Sequence, residues 1–209
     1  LATPYGLMLC APPFVKTRSD IMSSVVFLPG IKENAGIFNH TQGWGVIAEA
    51  MLGNGDRAYE YCKAAIPAAY NDKAEIRQSE PYVVGQTTYS TFSKRPGNTR
   101  VSWLSGAGTW SYYAITQYML GIKPQYNGML FDPCIKADWD GYTVERRWRK
   151  MNLKIEVKNP QHVNKGVEYV EVDGKRVDAA YVPVEMIKDG SSIVVMMGKN
   201  AKAYEIERV

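Results

Sequence analysis

With 209 residues, 45% hydrophobic and 22% charged, the chain can bury a core, and its length leaves one large domain or two small ones open. A formal charge of +4 with one dense basic run, Glu145 to Lys150, argues against a nucleic-acid partner; that run reads as a solvated strand or turn surface around Trp148. No apolar stretch approaches the ~20 residues of a membrane span, and Cys10, Cys62 and Cys134 form no CxxC pair, so they read as reduced thiols in a cytoplasm.

The opening "LATPYGLMLCAPPF" lacks the basic start of a signal peptide and begins without Met, as the interior of a longer protein would. From Thr41 the periodicity is helical, with Trp44, Ile47, Ala48, Met51 and Leu52 on one stripe until Gly53. A second helix is expected from Asp56, as N-cap, to about Ile66, with Ala58, Cys62, Ala65 and Ile66 on one side and Pro67 after them. The short "GNG" link makes the two helices antiparallel neighbours. Residues 71 to 100 show Asn, Asp, Ser, Pro and Gly without sustained periodicity, which predicts a long irregular excursion with one short helical turn. A third helix follows from about Ala107 to Leu120, apolar on nearly every side and closed by Gly121. Beyond "KPQYNG" the pattern becomes that of strands. Leu153, Ile155 and Val157 alternate, "VEYVEVDGKRV" reads as a hairpin turning at Asp173-Gly174, and "SSIVVMM" is a further strand. The chain therefore reads as a helical part followed by a small antiparallel β domain.

Two features of the helical part carry chemistry. His40 stands at the threshold of the first helix, beside Thr41 and Gln42, with Glu33 upstream in a Gly-containing loop. Taken alone it reads as a capping or packing histidine; a metal site lacks ligands, because the only other histidine is His162 in the polar turn "NPQHVNKG". The second feature is "SGAG", residues 105 to 108, before the third helix. Free N–H groups at a helix start, a glycine that lets an anion approach and a Ser hydroxyl suit a phosphate or carboxylate, though such glycines also serve close packing.

The blocks "TPYGLML", "PGIKENAGIFNHTQGW", "AEIRQSEPYV", "WLSGAGTW" and "YMLGIKPQYNGMLFDPCI" followed by "WDGYTVERRWR" resemble, in order, the inverting β-glycoside phosphorylases of the cellobiose phosphorylase type. They cover residues 1 to about 150 almost continuously, and "VKNPQHVNKGV" extends the likeness. The resemblance implies an α+β multidomain enzyme of which residues 1–124 are the last helices of an (α/α)6 barrel and residues 125–209 a C-terminal antiparallel β-sandwich. It implies that the general-acid aspartate lies upstream, so no Asp here takes that role. It further implies that His40, Ser105 and Gly106 hold the attacking phosphate, together with an arginine from the upstream part. Ser105 replaces the Thr of many members and keeps the hydroxyl donor. Glu33 and Gln86 fall on sugar-binding positions. Phe27 falls where cellobiose-type members have an aromatic residue and a chitobiose-type member a small one, which favours glucosides over N-acetylated sugars. No cofactor is implied beyond phosphate as co-substrate, and a cytoplasmic homodimer is expected.

This inventory suits the chemistry. An inverting hydrolase needs one carboxyl group to protonate the leaving oxygen and another to activate water. Phosphate is already an anionic nucleophile, so one acid suffices, and N–H donors with one histidine can position it. Two other readings stand beside this one: the phosphorylase-like module of a β-glucan synthase, and a non-catalytic carbohydrate-binding fragment.

Overall fold

Turn chemistry and two-residue alternation account for the strands of the second half, whereas the first half is organised by glycines and buried amides. A computed structural model describes residues 1–103 and 106–201. The chain divides into two units, Leu1–Ala48 with Tyr59–Ile115, and Glu49–Ala58 with Thr116–Val209.

Ahead of residue 120, strands β1 (Ala2–Thr3) and β2 (Gly6–Leu7) form a small antiparallel hairpin. Strand β3 (Ile37–Phe38) leads through a 3-10 turn, Asn39–Thr41, into helix α1 (Gln42–Met51). Helix α2 (Gly55–Ala65) follows, then a 3-10 segment, Pro67–Lys73, and the single turn α3 (Ala74–Arg77). Strands β4 (Thr87–Thr88) and β5 (Thr99–Arg100) pair antiparallel with β3 in the order β3-β4-β5. Helix α4 (Ala107–Tyr113) continues as a π-helical segment, Ala114–Met119.

Three expectations are corrected here. The packed side of α1 is Gln42, Gly43, Val46 and Ala50, while Trp44, Met51 and Leu52 of the expected stripe are exposed. The reason is local: the Gln42 amide accepts from Leu7 N–H (2.7 Å) and donates to Leu7 C=O (2.9 Å), so α1 meets β2 through a polar side chain. The stretch 71–100 is not one irregular excursion, because β4 and β5 complete a buried sheet. Its strands are two residues long and lined by Thr87, Thr88 and Thr99, which bond Ile37 C=O and one another, leaving no alternation of apolar residues to read. Asp56 does not cap α2. Ala58 N–H bonds the Asn54 carbonyl, and the Asp56 carboxylate accepts from Ala137 N–H (3.2 Å) and Asn164 Nδ2 (3.0 Å). The predicted inner side of α2 holds, with Ala58 and Cys62 buried.

The second unit contains β6 (Ile122–Gln125), β7 (Gly128–Phe131), β8 (Gly141–Trp148), β9 (Met151–Lys158), β10 (Val167–Val172), β11 (Lys175–Val177), β12 (Tyr181–Pro183) and β13 (Ser192–Met197). They form a five-stranded sheet, β11-β10-β13-β9-β8, and a three-stranded sheet, β12-β7-β6. All pairings are antiparallel except β9 with β13, which is parallel and departs from the purely antiparallel expectation. The Asp173-Gly174 turn joins β10 and β11 as predicted, with both residues at positive φ, 49° and 80°. The basic run ends the β8–β9 hairpin, where Arg149 and Lys150 also adopt positive φ and the Arg149 guanidinium lies over the Trp148 ring. Leu153, Ile155 and Val157 point inward and join Ile193, Val195, Phe131 and Val182 in one core drawn from both sheets. The fold is thus mixed helix and sheet, with several small sheets.

Ile155 is fully buried between Val144 of β8 and Ile193 of β13. Ile155→Ala is expected to cost about 2–5 kcal/mol by the methylenes lost and the cavity left. Urea denaturation reads this as a lower midpoint at unchanged slope, and a cost under about 1 kcal/mol would contradict the packing.

Candidate active site

Asn39 fixes the threshold of α1. Its amide donates to Gly85 C=O (3.0 Å) and Thr88 Oγ1 (3.2 Å), and its main-chain N–H bonds the Gln86 carbonyl (2.9 Å). The next residue, His40, therefore emerges at the edge of the β3-β4-β5 sheet. Its imidazole makes an edge contact with Trp44 (ring centroids 5.9 Å) and a tilted contact with Trp110 (6.1 Å). Trp44 and Trp110 themselves meet edge to face at 5.7 Å, so the ring is held within an aromatic corner and stays half-buried.

The start of α4 stands against this ring. Gly106 precedes the helix, and its carbonyl accepts the first helical bond from Trp110 N–H (3.2 Å). A Cβ built on Gly106 would lie 3.0 Å from His40 Cε1, and one on Gly108 would meet open space. The two features found in sequence, the histidine and the glycine-bearing helix start, are thus adjacent. Ser105 lies outside the described residues. The approach depends on Gly43: its missing Cβ would sit 2.8 Å from the Trp110 carbonyl oxygen, so only glycine lets α1 come this close to α4.

Gln86 reaches the same neighbourhood through the main chain, since its carbonyl holds Asn39 and its N–H bonds Val101 C=O (3.0 Å). Its side-chain Oε1 is buried without a hydrogen-bond partner among the described residues, an unmet acceptor of the kind a ligand hydroxyl satisfies. Phe27 and Glu33 sit together on the loop before β3. Asn34, buried at its centre, takes Phe14 N–H (2.7 Å) on Oδ1 and donates to the carbonyls of Phe14 (2.9 Å) and Phe27 (2.8 Å). The Lys32 ammonium lies 5.2 Å above the Phe27 ring, and Glu33 is exposed. This loop is tied to the segment after β4 by Ser90 N–H on Gly30 C=O (2.9 Å), but among the described residues no hydrogen bond, ion pair or ring contact joins Phe27 or Glu33 to His40.

Other chemistry finds little support among the described residues. No group of three His, Cys, Asp or Glu could hold a metal ion. Burial pushes the Cys62 and Cys134 thiols up to about 11, which keeps them protonated and poor nucleophiles near neutral pH. His162 belongs to the other unit, where Nδ1 pairs with the Ala137 carbonyl (3.0 Å). No helix of the described residues is long and apolar enough to cross a membrane. The sequence places Trp44 and Trp110 near the two helix starts, and the fold closes them on the His40 ring.

The sequence profile described as the glycosyl hydrolase 94 superfamily, catalytic domain, matches residues 1–121. The N,N'-diacetylchitobiose phosphorylase of Vibrio proteolyticus is 38% identical over 196 residues, which are 94% of this chain and 24% of that protein. Its counterpart from Vibrio furnissii is 41% identical over 179 residues, 86% of this chain and 22% of that protein. The solabiose phosphorylase of Paenibacillus borealis is 27% identical over 184 residues, 88% of this chain and 24% of its own length. The chain spans about a quarter of the length of these relatives.

Gly43→Ala must push α1 away from the Trp110 carbonyl. Overpacking of this kind is expected to cost about 1–3 kcal/mol, and the variant's imidazole should lose the ring-current shift that Trp44 and Trp110 impose on its proton resonances. A variant as stable as the parent, with an unmoved His40 resonance, would show that the helices do not meet at this glycine.

Proposed function

This chain belongs to the glycosyl hydrolase 94 superfamily, and we propose that it is the C-terminal portion of a disaccharide phosphorylase that supplies half of the phosphate and sugar site. The observation that carries this reading is the His40 imidazole set against Gly106 at the start of α4. In this role His40, Ser105 and the Gly106 region donate hydrogen bonds to phosphate, and helix-start N–H groups add their partial positive charge. Gln86, with its unmet acceptor, and Glu33 bind hydroxyls of the transferred sugar, and Phe27 forms part of its wall. A phosphate oxygen attacks the anomeric carbon from the face opposite the leaving oxygen. As that C–O bond breaks, an aspartic acid upstream of this chain protonates the leaving oxygen. A β-glycoside then yields an α-sugar 1-phosphate and a free sugar, with no second carboxylate needed.

The same proposal takes residues 1–124 as helices of an (α/α)6 barrel and residues 125–209 as a β-sandwich, in a cytoplasmic homodimer that needs no cofactor beyond phosphate. For the substrate, Phe27 favours a β-glucoside such as cellobiose. A second reading, an N-acetylated disaccharide, is favoured by the identity of 38–41% to the two Vibrio chitobiose phosphorylases.

Phosphorus NMR of the full-length protein with phosphate and cellobiose, laminaribiose or diacetylchitobiose is expected to show an α-sugar 1-phosphate with one of them. No product from any sugar would reject the assignment for these substrates. His40→Ala is expected to raise the phosphate KM or lower kcat by about 10- to 100-fold, the loss of one hydrogen bond to a charged ligand. Disaccharide binding should change far less, and unchanged phosphate kinetics would remove His40 from the site.

A further inference from the structure

Arg77, the last residue of α3, is a cation enclosed by its own chain. It is 6% exposed, and its guanidinium donates through Nη1 to the Glu80 carbonyl and through Nη2 to the Val83 carbonyl. A guanidinium carries five N–H groups, so three have no partner among the described residues. No carboxylate there pairs with it either. Glu80 attracts it only from a distance, because that carboxylate accepts from Trp103 Nε1 (3.1 Å) and Ser102 Oγ (3.4 Å) on one oxygen and from Ser79 Oγ (3.2 Å) on the other.

A cavity of about 10 Å³ lies against this guanidinium, room for one particle the size of a water or a halide. Its polar lining is Tyr5, Asn39, Tyr70, Thr88 and Thr99, with no acidic side chain. Burial pushes the Tyr70 phenol up to about 12, and its hydroxyl is engaged with the carbonyls of Pro4 (2.9 Å) and Ala64 (2.7 Å), so it brings no negative charge. Burial also works against the charge on Arg77, yet a guanidinium does not shed its proton in a protein. The chain thus buries a permanent cation beside a small polar space.

We propose that this cavity is a binding site for one small monovalent anion, chloride, held by the unpaired N–H groups of Arg77. The Thr99 hydroxyl is free to join them when Thr88 gives its own proton to Asn39 Oδ1 (3.3 Å). A water would meet the N–H groups but leave the cation without a close counter-charge in a medium of low dielectric, where an unpaired ion costs far more than an unpaired dipole. An anion answers both needs. Phosphate and sulfate, with four oxygens around a central atom, exceed a one-particle space. The site borders Asn39, whose amide fixes the threshold of His40, so the ion is a fixed charge within the scaffold of the candidate active site. Its existence is independent of the reaction the protein performs.

The test uses the full-length protein. In crystals grown with sodium bromide, an anomalous difference peak is expected within about 3.5 Å of the Arg77 guanidinium. In solution, ionic strength is held constant with gluconate, which is too bulky for the cavity. Each tenfold rise in chloride above its Kd should then shift the unfolding equilibrium about tenfold toward the folded state. Bromide should act likewise, and Arg77→Gln should abolish the response to both. A chloride series indistinguishable from gluconate, or a response that survives in folded Arg77→Gln, overturns the site. So does a water alone, or a carboxylate from the upstream chain, beside Arg77 in the bromide crystal. A bromide peak with no halide effect in solution marks an adventitious ion only and overturns it too. If Arg77→Gln does not fold, the parent decides: the peak together with the halide-specific shift upholds the site, and the absence of either overturns it.

Discussion

The arrangement of the first unit turns on one close approach, the Gly43 backbone against the Trp110 carbonyl. Two helices that touch through a glycine can bring their N-terminal ends nearer than any side chain would allow. That nearness sets His40, one turn before Gly43, against Gly106, one turn before Trp110. The Gln42 amide holds α1 from its other flank by pairing with both polar groups of Leu7. The position of the imidazole is thus fixed on two sides, by the Gly43 main chain and the Gln42 amide, and the aromatic rings then set its tilt.

The proposed phosphate site gives a reason for such a construction. Strong cationic neutralisation would bind phosphate well but lower its nucleophilicity, whereas N–H donors and one imidazole bind it by directed hydrogen bonds. Buried polar groups such as Asn39, Thr88 and Thr99 supply the rigidity that loops carrying such donors need, because each has its partner within the sheet. Gln86 departs from that pattern at its Oε1, and an unmet buried acceptor costs stability unless a ligand answers it.

The sequence discloses most where one local rule decides the outcome. The Asp173-Gly174 turn, the alternation of Leu153, Ile155 and Val157, and the inner side of α2 are legible because turn residues and apolar spacing determine them. The inner side of α1 is not, since Gln42 and Gly43 pack inward for reasons of hydrogen bonding and close approach, while Trp44, Met51 and Leu52 remain outside. The β3-β4-β5 sheet escapes for a similar reason: two-residue strands with threonine interiors have no period. The parallel pairing of β9 with β13 is a choice of strand neighbours, and turn chemistry speaks only for neighbours joined by a turn. Of the site, the residue types at the two helix starts are legible, but their adjacency is a property of the Gly43 contact.

The strained segment before Gly106 carries the argument one step further. Each left-handed residue outside glycine costs roughly 1–2 kcal/mol, and Val101 and Trp103 both bear that cost. Glycine at either position would relieve the backbone. At 103, however, it would remove the indole whose N–H holds Glu80, and at 101 it would loosen the residue whose carbonyl is paired with Gln86. The side chains kept there do work that the backbone opposes. Gln86, Val101, Trp103 and Gly106 form one short covalent and hydrogen-bonded path, a segment fixed at one end to a proposed sugar residue. The other end runs into the helix start beside His40.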